Sequence, residues 1–399
     1  MKILMLTPYM PYPPASGGQI RTYNLLKHLS KNHEITLISL YKNDEEKNFM
    51  SDLKPFCKKI YLCKRAQKPW QPNIILKAVL GTKPLLMVRN FSMEAALLVQ
   101  QLLKEEEFDV IHAETSYIMP HIPETTIPTL LIEHTIEYKV YQHFIENLPI
   151  IIRPLLYIDI IKLKYWEKLY WKKASLVAAV SEADQKLIQT LAPEITPRLI
   201  PNGAGDDMFV TKLENKSLEN PKLLFMGNYF WLQNKEAAIY IVDKIFPLLK
   251  DKLKNFKIII AGQEAQRITL PYNDPRIEVV NIKNDDTEGV QSLYKNSTLF
   301  IAPIFGPGGT RLKILASMAS GLPIVSTRIG VEGLDIEDEK HALIANTPEE
   351  FASQIVKALE DKKLYNEMRK NSFEHVTNKF SWHAIAKQLE VMYRSIINT

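Results

Sequence analysis

Short apolar runs alternate with segments of helical periodicity along the chain. The first run, Lys2–Leu6, is followed by a loop rich in Pro and Gly and then by Gln19–Ser30, where apolar residues recur at three- and four-residue spacing. Such spacing predicts a helix, and the apolar run His33–Leu40 predicts the next strand. Strand, glycine turn, helix and strand in this order are typical of a βαβ unit in a parallel sheet.

The same alternation continues to the end of the chain. We predict further strands at Phe108–His112, Thr129–Glu133, Ser175–Val180, Lys222–Met226, Phe256–Gly262, Arg276–Ile282, Leu299–Pro303 and Ile324–Ser326. Helices are predicted over Asn147–Lys173, from Ser181, over Lys313–Met318, Pro348–Lys357 and Asp361–Ser372, and from Ser381. The segment K-L-L-F-M-G at residues 222–227 echoes K-I-L-M-L-T at residues 2–7 and indicates a duplicated architecture. The pattern therefore predicts an α/β protein with two Rossmann-like domains.

A glycine-rich loop joins the predicted strand Leu299–Pro303 to the helix that follows it. Its glycines let the backbone approach a ligand closely, and the free N–H groups at the helix start form a site for an anion. A phosphate or diphosphate site is therefore favoured, and a tight turn with surface cations is the plainer alternative. The candidate residues of this loop and helix start are Gly308, Gly309, Thr310, Arg311 and Lys313.

Several segments resemble one enzyme family. The signature G-G-T-R-L-K-I-L-A-S-M-A-S-G-L-P-I-V-S-T at residues 308–327 resembles the donor-binding motif of retaining glycosyltransferases of the GT-B fold, family four, in its glycine-rich subfamily. R-L-I-P-N-G at 198–203 is similar to the interdomain linker of that family, and the segment 227–234 is similar to its G-x-x-x-W-x-x-N motif. The resemblance covers nearly the whole chain and is weakest over residues 44–105.

The resemblance implies a fold and an activity. The fold is GT-B, with two Rossmann-like domains facing each other across a cleft: residues 1–200 on the acceptor side, residues 201–380 on the donor side, and a helix at 381–399 that crosses back to the first domain. The activity is transfer of a sugar, with retention, from a nucleotide diphosphate donor to a glycan, lipid-linked or other acceptor. Arg311, Lys313 and the loop amides would stabilise the leaving diphosphate electrostatically, so we expect neither a metal nor another cofactor.

Further donor-side residues follow from the resemblance. The family helix carries a Glu that holds the donor ribose, and this chain has Ala316 there, through divergence or an engineered substitution. We expect the nucleotide base after the strand Arg276–Ile282 and the phosphates near the glycine loops. Lys235 is either a phosphate ligand or an ordinary surface lysine. The additional candidates for donor binding are Gly17, Gly18, Lys235, Ile282 and Lys283.

Polar residues also end two strands of the first half. His112 or Glu114 could take the place of the polar residue that the family often sets against the donor sugar, and the register leaves the choice open. The segment E-H-T-I-E-Y at 133–138 resembles the family's H-N-x-E, which makes His134 and Glu137 candidates for the cleft. A hydrogen-bonded loop histidine is the alternative for His134.

Composition and charge limit the partners. The chain has 399 residues, of which 46 % are hydrophobic and 24 % charged, so it can bury the cores of two or three domains. The net charge of +5 suits an anionic ligand or lipid surface but is too small to indicate nucleic acid. The two cysteines favour neither a zinc site nor a disulfide framework, which suits a reducing cytoplasm. No run of about 18 apolar residues predicts a transmembrane helix, and the oligomeric state stays open.

Two basic and apolar segments, 44–101 and 147–173, have two interpretations. One is a surface in peripheral contact with the inner face of a membrane, and the favoured one is a solvated basic face over ordinary core helices. Two other functions also stay open, namely a sugar-nucleotide epimerase or hydrolase on this fold and a non-catalytic binder, which Ala316 would suit. An NAD-dependent dehydrogenase fits poorly because no G-x-G-x-x-G follows either opening strand.

Overall fold

The computed structural model describes residues 1–68, 71–146, 149–150, 153–271, 274–283, 286–306 and 312–397. The chain divides into two compact units. The first consists of Met1–Pro201 together with Ala386–Thr399, and the second of Asn202–Ile385. Within the described part of the chain, no helix has the length and apolar character needed to cross a bilayer.

The first unit contains a seven-stranded parallel sheet in the order β3-β2-β1-β4-β5-β6-β7. Its strands are β1 (Lys2–Thr7), β2 (Glu34–Tyr41), β3 (Lys59–Lys64), β4 (Val110–Glu114), β5 (Thr129–Glu133), β6 (Leu176–Ala179) and β7 (Arg198–Leu199). The central strands are buried along nearly their whole length because helices cover both faces of a parallel sheet, which explains why they appear in the sequence as continuous apolar runs.

In the described part of this unit, eight α-helices connect the strands. They are α1 (Gly17–Leu29), α2 (Met50–Leu53), α3 (Pro72–Leu80), α4 (Leu85–Asn90), α5 (Met93–Glu105), α6 (Glu137–Glu146), α7 (Arg153–Lys173) and α8 (Glu182–Leu191). Short 3-10 helices lie at Asp44–Phe49, Lys54–Phe56 and Ser116–His121. The helix α8 begins as predicted, because the Ser181 side chain caps it by accepting a hydrogen bond from the Asp184 N–H.

The second unit repeats the design with six parallel strands in the order β10-β9-β8-β11-β12-β13. They are β8 (Lys222–Met226), β9 (Lys257–Gly262), β10 (Ile277–Asn281), β11 (Leu299–Ala302), β12 (Ile324–Ser326) and β13 (Leu343–Ile344). The α-helices are α9 (Leu232–Tyr240), α10 (Phe246–Lys250), α11 (Thr287–Asn296), α12 (Leu312–Ala319), α13 (Pro348–Glu360), α14 (Lys362–Lys379) and α15 (Trp382–Ile397), the last of which continues into the first unit. A π-helix at Ile241–Ile245 joins α9 to α10, and 3-10 helices lie at Asp206–Met208, Ala265–Arg267 and Ile329–Val331.

Helix α12 ends at Ala319, and Gly321 forms the turn that follows it. Gly321 has φ of +62°, in the left-handed region that favours glycine. Its N–H donates to the carbonyl of Met318 at 3.0 Å, and the N–H of Leu322 donates to the carbonyl of Ser317 at 2.9 Å. This pair of bonds satisfies the last carbonyls of the helix and turns the chain towards β12.

Several predicted boundaries differ from the observed ones, and the largest shift is in α14, which was predicted to end at Ser372 and continues to Lys379. The strand predicted to end at His112 continues to Glu114, because Ala113 and Glu114 pair with β5. On the last helix, α15, the structure buries Tyr393 and leaves the neighbouring Met392 half-buried. The Tyr393 hydroxyl contacts a polar side chain of the sheet, as described next.

Candidate functional site

Side chains from four elements meet where the strands of the first sheet have their carboxyl-terminal ends, which we call the carboxyl edge of the sheet. Glu114 is the last residue of β4, and His134 follows β5 directly. Arg21 lies in the second turn of α1, the helix after β1. The chain changes direction across the sheet between β1 and β4, which is the place where doubly wound sheets bind ligands.

Glu114 is the centre of this cluster. Its Oε1 atom accepts a hydrogen bond from His112 Nε2 at 2.7 Å, its Oε2 atom contacts His134 Nε2, and Arg21 Nε lies 3.5 Å from Oε2. Burial opposes ionisation of Glu114, but the surrounding His134, Arg21 and His112 outweigh it and hold the pKa of the carboxyl well below its ordinary value. The cluster therefore contains a buried carboxylate with its counter-charge.

Tyr393 of α15 fixes the tautomer of His112. The Tyr393 hydroxyl lies 2.5 Å from His112 Nδ1. Burial raises the pKa of Tyr393 well above its ordinary value, so the hydroxyl stays protonated and donates to Nδ1. The ring proton of His112 is then on Nε2, where it is donated to Glu114.

His134 is the member of the cluster that reaches the surface. Its side chain is 17 % exposed, whereas those of His112 and Glu114 are 0 % exposed. The Tyr9 hydroxyl lies 3.4 Å from His134 Nδ1. A ligand at this edge would meet His134 first, with His112 and Glu114, the two alternatives predicted to face the donor sugar, behind it.

The predicted glycine pair opens helix α1 at the same edge. Gly17 is the first residue of the helix and is exposed. A Cβ atom on Gly18 would collide with the Tyr9 hydroxyl, so a glycine is required for Tyr9 to occupy its position. Gly18 thereby supports the side chain that lies beside His134.

Glu137 belongs to a second, neighbouring group of carboxylates. It is half-buried as the first residue of α6, and its N–H donates to Glu167 Oε1 at 2.8 Å. Burial raises the pKa of Glu137 to about 7, although a hydrogen bond from Tyr117 opposes the rise. Burial also raises the pKa of Glu133 to about 8, and Glu133 Oε1 accepts a hydrogen bond from Trp171 Nε1 at 2.8 Å. This group retains protons near neutral pH, in contrast to Glu114.

The second unit holds a fixed cation at the corresponding edge. Lys313 lies in the first turn of α12, and its Nζ atom donates to Asn234 Oδ1 at 2.6 Å and lies 4.7 Å from the centre of the Phe225 ring. Asn234 is itself held because its Nδ2 donates to the carbonyl of Asn228 at 2.6 Å. A Cβ atom on Gly227 would lie 2.9 Å from Asn234 Cγ, so this glycine makes room for the amide.

The other predicted donor-side residues are dispersed over this unit. Lys235 is half-buried in the first turn of α9, and Ala316 is half-buried on α12. Ile282 is buried and its N–H donates to the carbonyl of Gly262 at 3.0 Å, so that donor is already used within the protein, while Lys283 is exposed. The predicted loop residues Gly308, Gly309, Thr310 and Arg311 lie outside the described residues.

Sequence reasoning missed three residues that organise these edges: Arg21, Tyr393 and Asn234. Two of them had a signal in the sequence, since Arg21 lies three residues after the candidate pair Gly17-Gly18 and Asn234 ends the segment similar to G-x-x-x-W-x-x-N. Tyr393 had none, because its partner His112 is 281 residues away. Among the described residues, no group of three or more His, Cys, Asp and Glu side chains is arranged to hold a metal ion.

Comparison with known proteins assigns the enzyme class. The family model described as Glycosyltransferase Family 4 matches residues 15–207, and the model described as Glycosyl transferases group 1 matches residues 220–361. A Klebsiella pneumoniae relative, an uncharacterized 44.6 kDa protein in the cps region, is 23 % identical over 393 residues, which cover 95 % of this chain and 96 % of the relative.

A named enzyme and a solved structure add to this assignment. UDP-Gal:alpha-D-GlcNAc-diphosphoundecaprenol alpha-1,3-galactosyltransferase of Escherichia coli is 23 % identical over 327 residues, covering 74 % of this chain and 78 % of that enzyme. The crystal structure of Anabaena HepE in complex with UDP and glucose matches with a TM-score of 0.66 at 16 % identity, covering 99 % of this chain and 100 % of HepE. Such likenesses confirm the α/β GT-B fold predicted from the sequence. The chain is therefore a glycosyltransferase of the GT-B, group 1 family.

Proposed function

We propose that this glycosyltransferase moves a sugar, with retention of anomeric configuration, from a nucleoside diphosphate sugar to a glycan or lipid-linked acceptor. The observation that carries the proposal is the Lys313 ammonium group, held by Asn234 at the helix that follows the glycine-rich loop. It provides a positive charge where the signature of the glycine-rich subfamily calls for one.

The relatives suggest which donor to test first. The HepE structure contains UDP and glucose, and the name of the Escherichia coli enzyme specifies UDP-galactose. UDP-hexoses are therefore the first candidates for this chain. The same enzyme name specifies a sugar on diphosphoundecaprenol, which supports a lipid-linked acceptor here.

The chemical demand is stabilisation of the diphosphate as it leaves the sugar. Negative charge develops on the phosphate oxygens in the transition state, and a preorganised cation there is worth about 3 kcal/mol of barrier. Lys313 needs little reorganisation because Asn234 already holds it. We assign the same task to Arg311 and to the amides of Gly308, Gly309 and Thr310, without a metal ion.

The first unit would act on the sugar. His134 is the exposed member of its cluster and would contact the donor sugar or acceptor, while Glu114 and His112 would act as positioning residues that hold its ring. This assignment modifies the sequence hypothesis, in which His112 or Glu114 itself faced the sugar. Gly17 and Gly18 would lie beside the same ligand.

The direct test incubates the purified chain with a panel of UDP-, GDP- and dTDP-sugars and with glycan and diphosphoundecaprenol-linked acceptors. We expect release of nucleoside diphosphate that depends on the acceptor, is unchanged by EDTA, and gives a product with the donor's anomeric configuration by NMR. An inverted product would contradict retention, and loss of activity in EDTA would contradict metal-free transfer.

The same experiment distinguishes the two other functions. An epimerase or hydrolase would convert the donor without any acceptor, and a pure binder would retain the donor and release no diphosphate. The match to glycosyltransferase families does not favour the first. Ala316 is the feature that keeps the second worth testing.

A further inference from the structure

Helix α7 of the first unit exposes an apolar stripe. Its exposed residues recur at intervals of three, four and four, so they lie along one face of the helix. They are exposed by 54 %, 68 %, 62 % and 39 %, which is unusual for side chains of this size grouped on one face. The stripe consists of Ile158, Ile161, Tyr165 and Leu169.

Helix α3 lies beside α7. Lys162 Nζ donates to the carbonyls of Ala78 at 2.8 Å and Gly81 at 2.7 Å, and Trp166 Nε1 donates to the carbonyl of Thr82 at 3.0 Å. These bonds place the end of α3 beside the middle of α7. Helix α3 also exposes apolar side chains, and together with the stripe they form what we call the α3–α7 face: Leu76, Val79, Leu80, Ile158, Ile161, Tyr165 and Leu169.

Lysines border the α3–α7 face. On α7, three lysines recur every four residues alongside the stripe, and α3 adds one more; they are Lys164, Lys168, Lys172 and Lys77. Lys172 is paired with Glu194 at 2.6 Å, which leaves three lysines to give the face its charge.

The acidic residues of these two helices form hydrogen bonds elsewhere in the protein. Helix α3 has none, and α7 has Asp159 and Glu167. Asp159 accepts a hydrogen bond from the Leu85 N–H at 2.9 Å, and Glu167 is fully buried, where it accepts from the N–H groups of Glu137 and Tyr138. An apolar face bordered by cations remains.

We infer that the α3–α7 face rests on an anionic lipid bilayer, with its apolar side chains at the boundary of the acyl chains and its lysines among the head groups. A helix with an apolar face and a lysine-rich border binds membranes in this way, and each nearby lysine strengthens the attraction to anionic lipid. Self-association through this face would bring two lysine-rich surfaces together, so charge complementarity favours the bilayer. The interpretation that the sequence left as second is thus the one the exposed face supports.

The test is flotation of the full chain with vesicles, without donor or acceptor, so that its outcome is independent of the proposed transfer. We expect binding to vesicles that contain phosphatidylglycerol, little binding to phosphatidylcholine alone, and weaker binding at high salt. Ile161→Glu should lower the affinity about tenfold or more, because it places a charge at the lipid boundary. Val391→Glu is the matched control, since Val391 on α15 is also 68 % exposed but lies outside this face, and it should bind like the unmodified chain.

A double variant tests the charges separately. Lys77→Glu with Lys164→Glu should weaken binding to anionic vesicles about tenfold or more and reduce its salt dependence. Circular dichroism and donor turnover without vesicles should match the unmodified chain for each variant. The inference is overturned if Ile161→Glu and Val391→Glu bind vesicles equally, if the chain does not float with anionic vesicles, or if light scattering shows that Ile161→Glu dissolves a dimer and leaves vesicle binding unchanged.

Discussion

At the residue scale, Glu114 shows how a buried charge is maintained. Its two oxygens have three polar partners, all of them basic: His112, His134 and Arg21. A carboxylate removed from water persists only with such compensation, and here the compensation lowers its pKa well below the ordinary value of 4.5 despite the burial. Glu114 is therefore held as a carboxylate at this edge.

Replacement of Glu114 by Gln tests this role. The change would leave the Arg21 charge buried beside a neutral amide, and we expect it to lower the free energy of unfolding by about 3–5 kcal/mol at pH 7. Tyr393→Phe, which removes one hydrogen bond to His112, should cost only about 1 kcal/mol. Urea unfolding measures both.

The loss of stability at acid pH tests the same residue. Because the pKa of Glu114 is lower in the folded than in the unfolded chain, its contribution to stability is present above 4.5 and is lost as the pH falls below that value. The Glu114→Gln variant should lose less stability than the unmodified chain as the pH is lowered from 5 to 3. Equal losses in both proteins would show that Glu114 is not the buried carboxylate we describe.

In the cluster around Glu114, site residues could be predicted only where the chain itself places them at or next to a strand end. His112, Glu114 and His134 were found in this way, because the carboxyl ends of parallel strands meet at one edge. The contact of His112 with Tyr393 depends on how α15 packs on the sheet, and no local pattern contains that information. For the same reason the sequence did not distinguish the exposed His134 from the buried Glu114.

At the element scale, β5, α6 and α7 together contribute a layer of three carboxyl groups whose pKa values are raised. Glu133 ends β5, Glu137 begins α6, and Glu167 lies on the buried side of α7. Burial raises the pKa of all three, to about 8 for Glu133 and about 7 for Glu137. Like-charge repulsion adds to this effect, because Glu137 raises the pKa of Glu133, and both Glu133 and Glu137 raise that of Glu167.

This layer should make the protein sensitive to alkali. A carboxyl whose pKa is raised in the folded chain contributes stability that is complete below the unfolded value of about 4.5 and is lost as the pH rises through the folded value of about 8. We expect thermal unfolding to shift to lower temperature between pH 6 and pH 9. Glu133→Gln should keep a hydrogen-bond acceptor for Trp171. Its free energy of unfolding should fall by about 1–3 kcal/mol less than that of the unmodified chain over this pH range.

The control for the alkaline shift is Glu107→Gln, which changes an exposed carboxylate of the same unit. It should follow the pH dependence of the unmodified chain. If Glu133→Gln follows it too, the buried carboxyl is not the origin of the alkaline sensitivity.

The elements themselves were largely predictable. Three strands have the predicted bounds, Thr129–Glu133, Lys222–Met226 and Ile324–Ser326, because apolar runs with polar ends are typical of buried parallel strands. The end of β4 was not predictable, because pairing with β5 across the sheet decides where that strand stops. The burial of Tyr393 on α15 was not predictable either, because it depends on the contact with His112.

At the scale of the whole molecule, the chain builds the same doubly wound sheet twice and places different chemistry at each carboxyl edge. In the first unit the edge contains a buried carboxylate with a histidine at the surface, and in the second it contains a lysine oriented by an amide. The duplication was visible in the sequence because both opening strands have the same apolar pattern. The different roles of the two edges could not be predicted, because they depend on side-chain contacts between segments that are distant in the sequence.

The central claim is that Lys313 stabilises the leaving diphosphate, and donor turnover in two lysine variants tests it most directly. With a UDP-hexose and its acceptor at saturation, Lys313→Ala should lower kcat by about 10²–10³-fold, the effect of removing one preorganised charge from a transition state. Lys235→Ala, which changes a half-buried lysine one residue from Asn234, should lower it by no more than a few-fold. Equal rates for the two variants would contradict the claim.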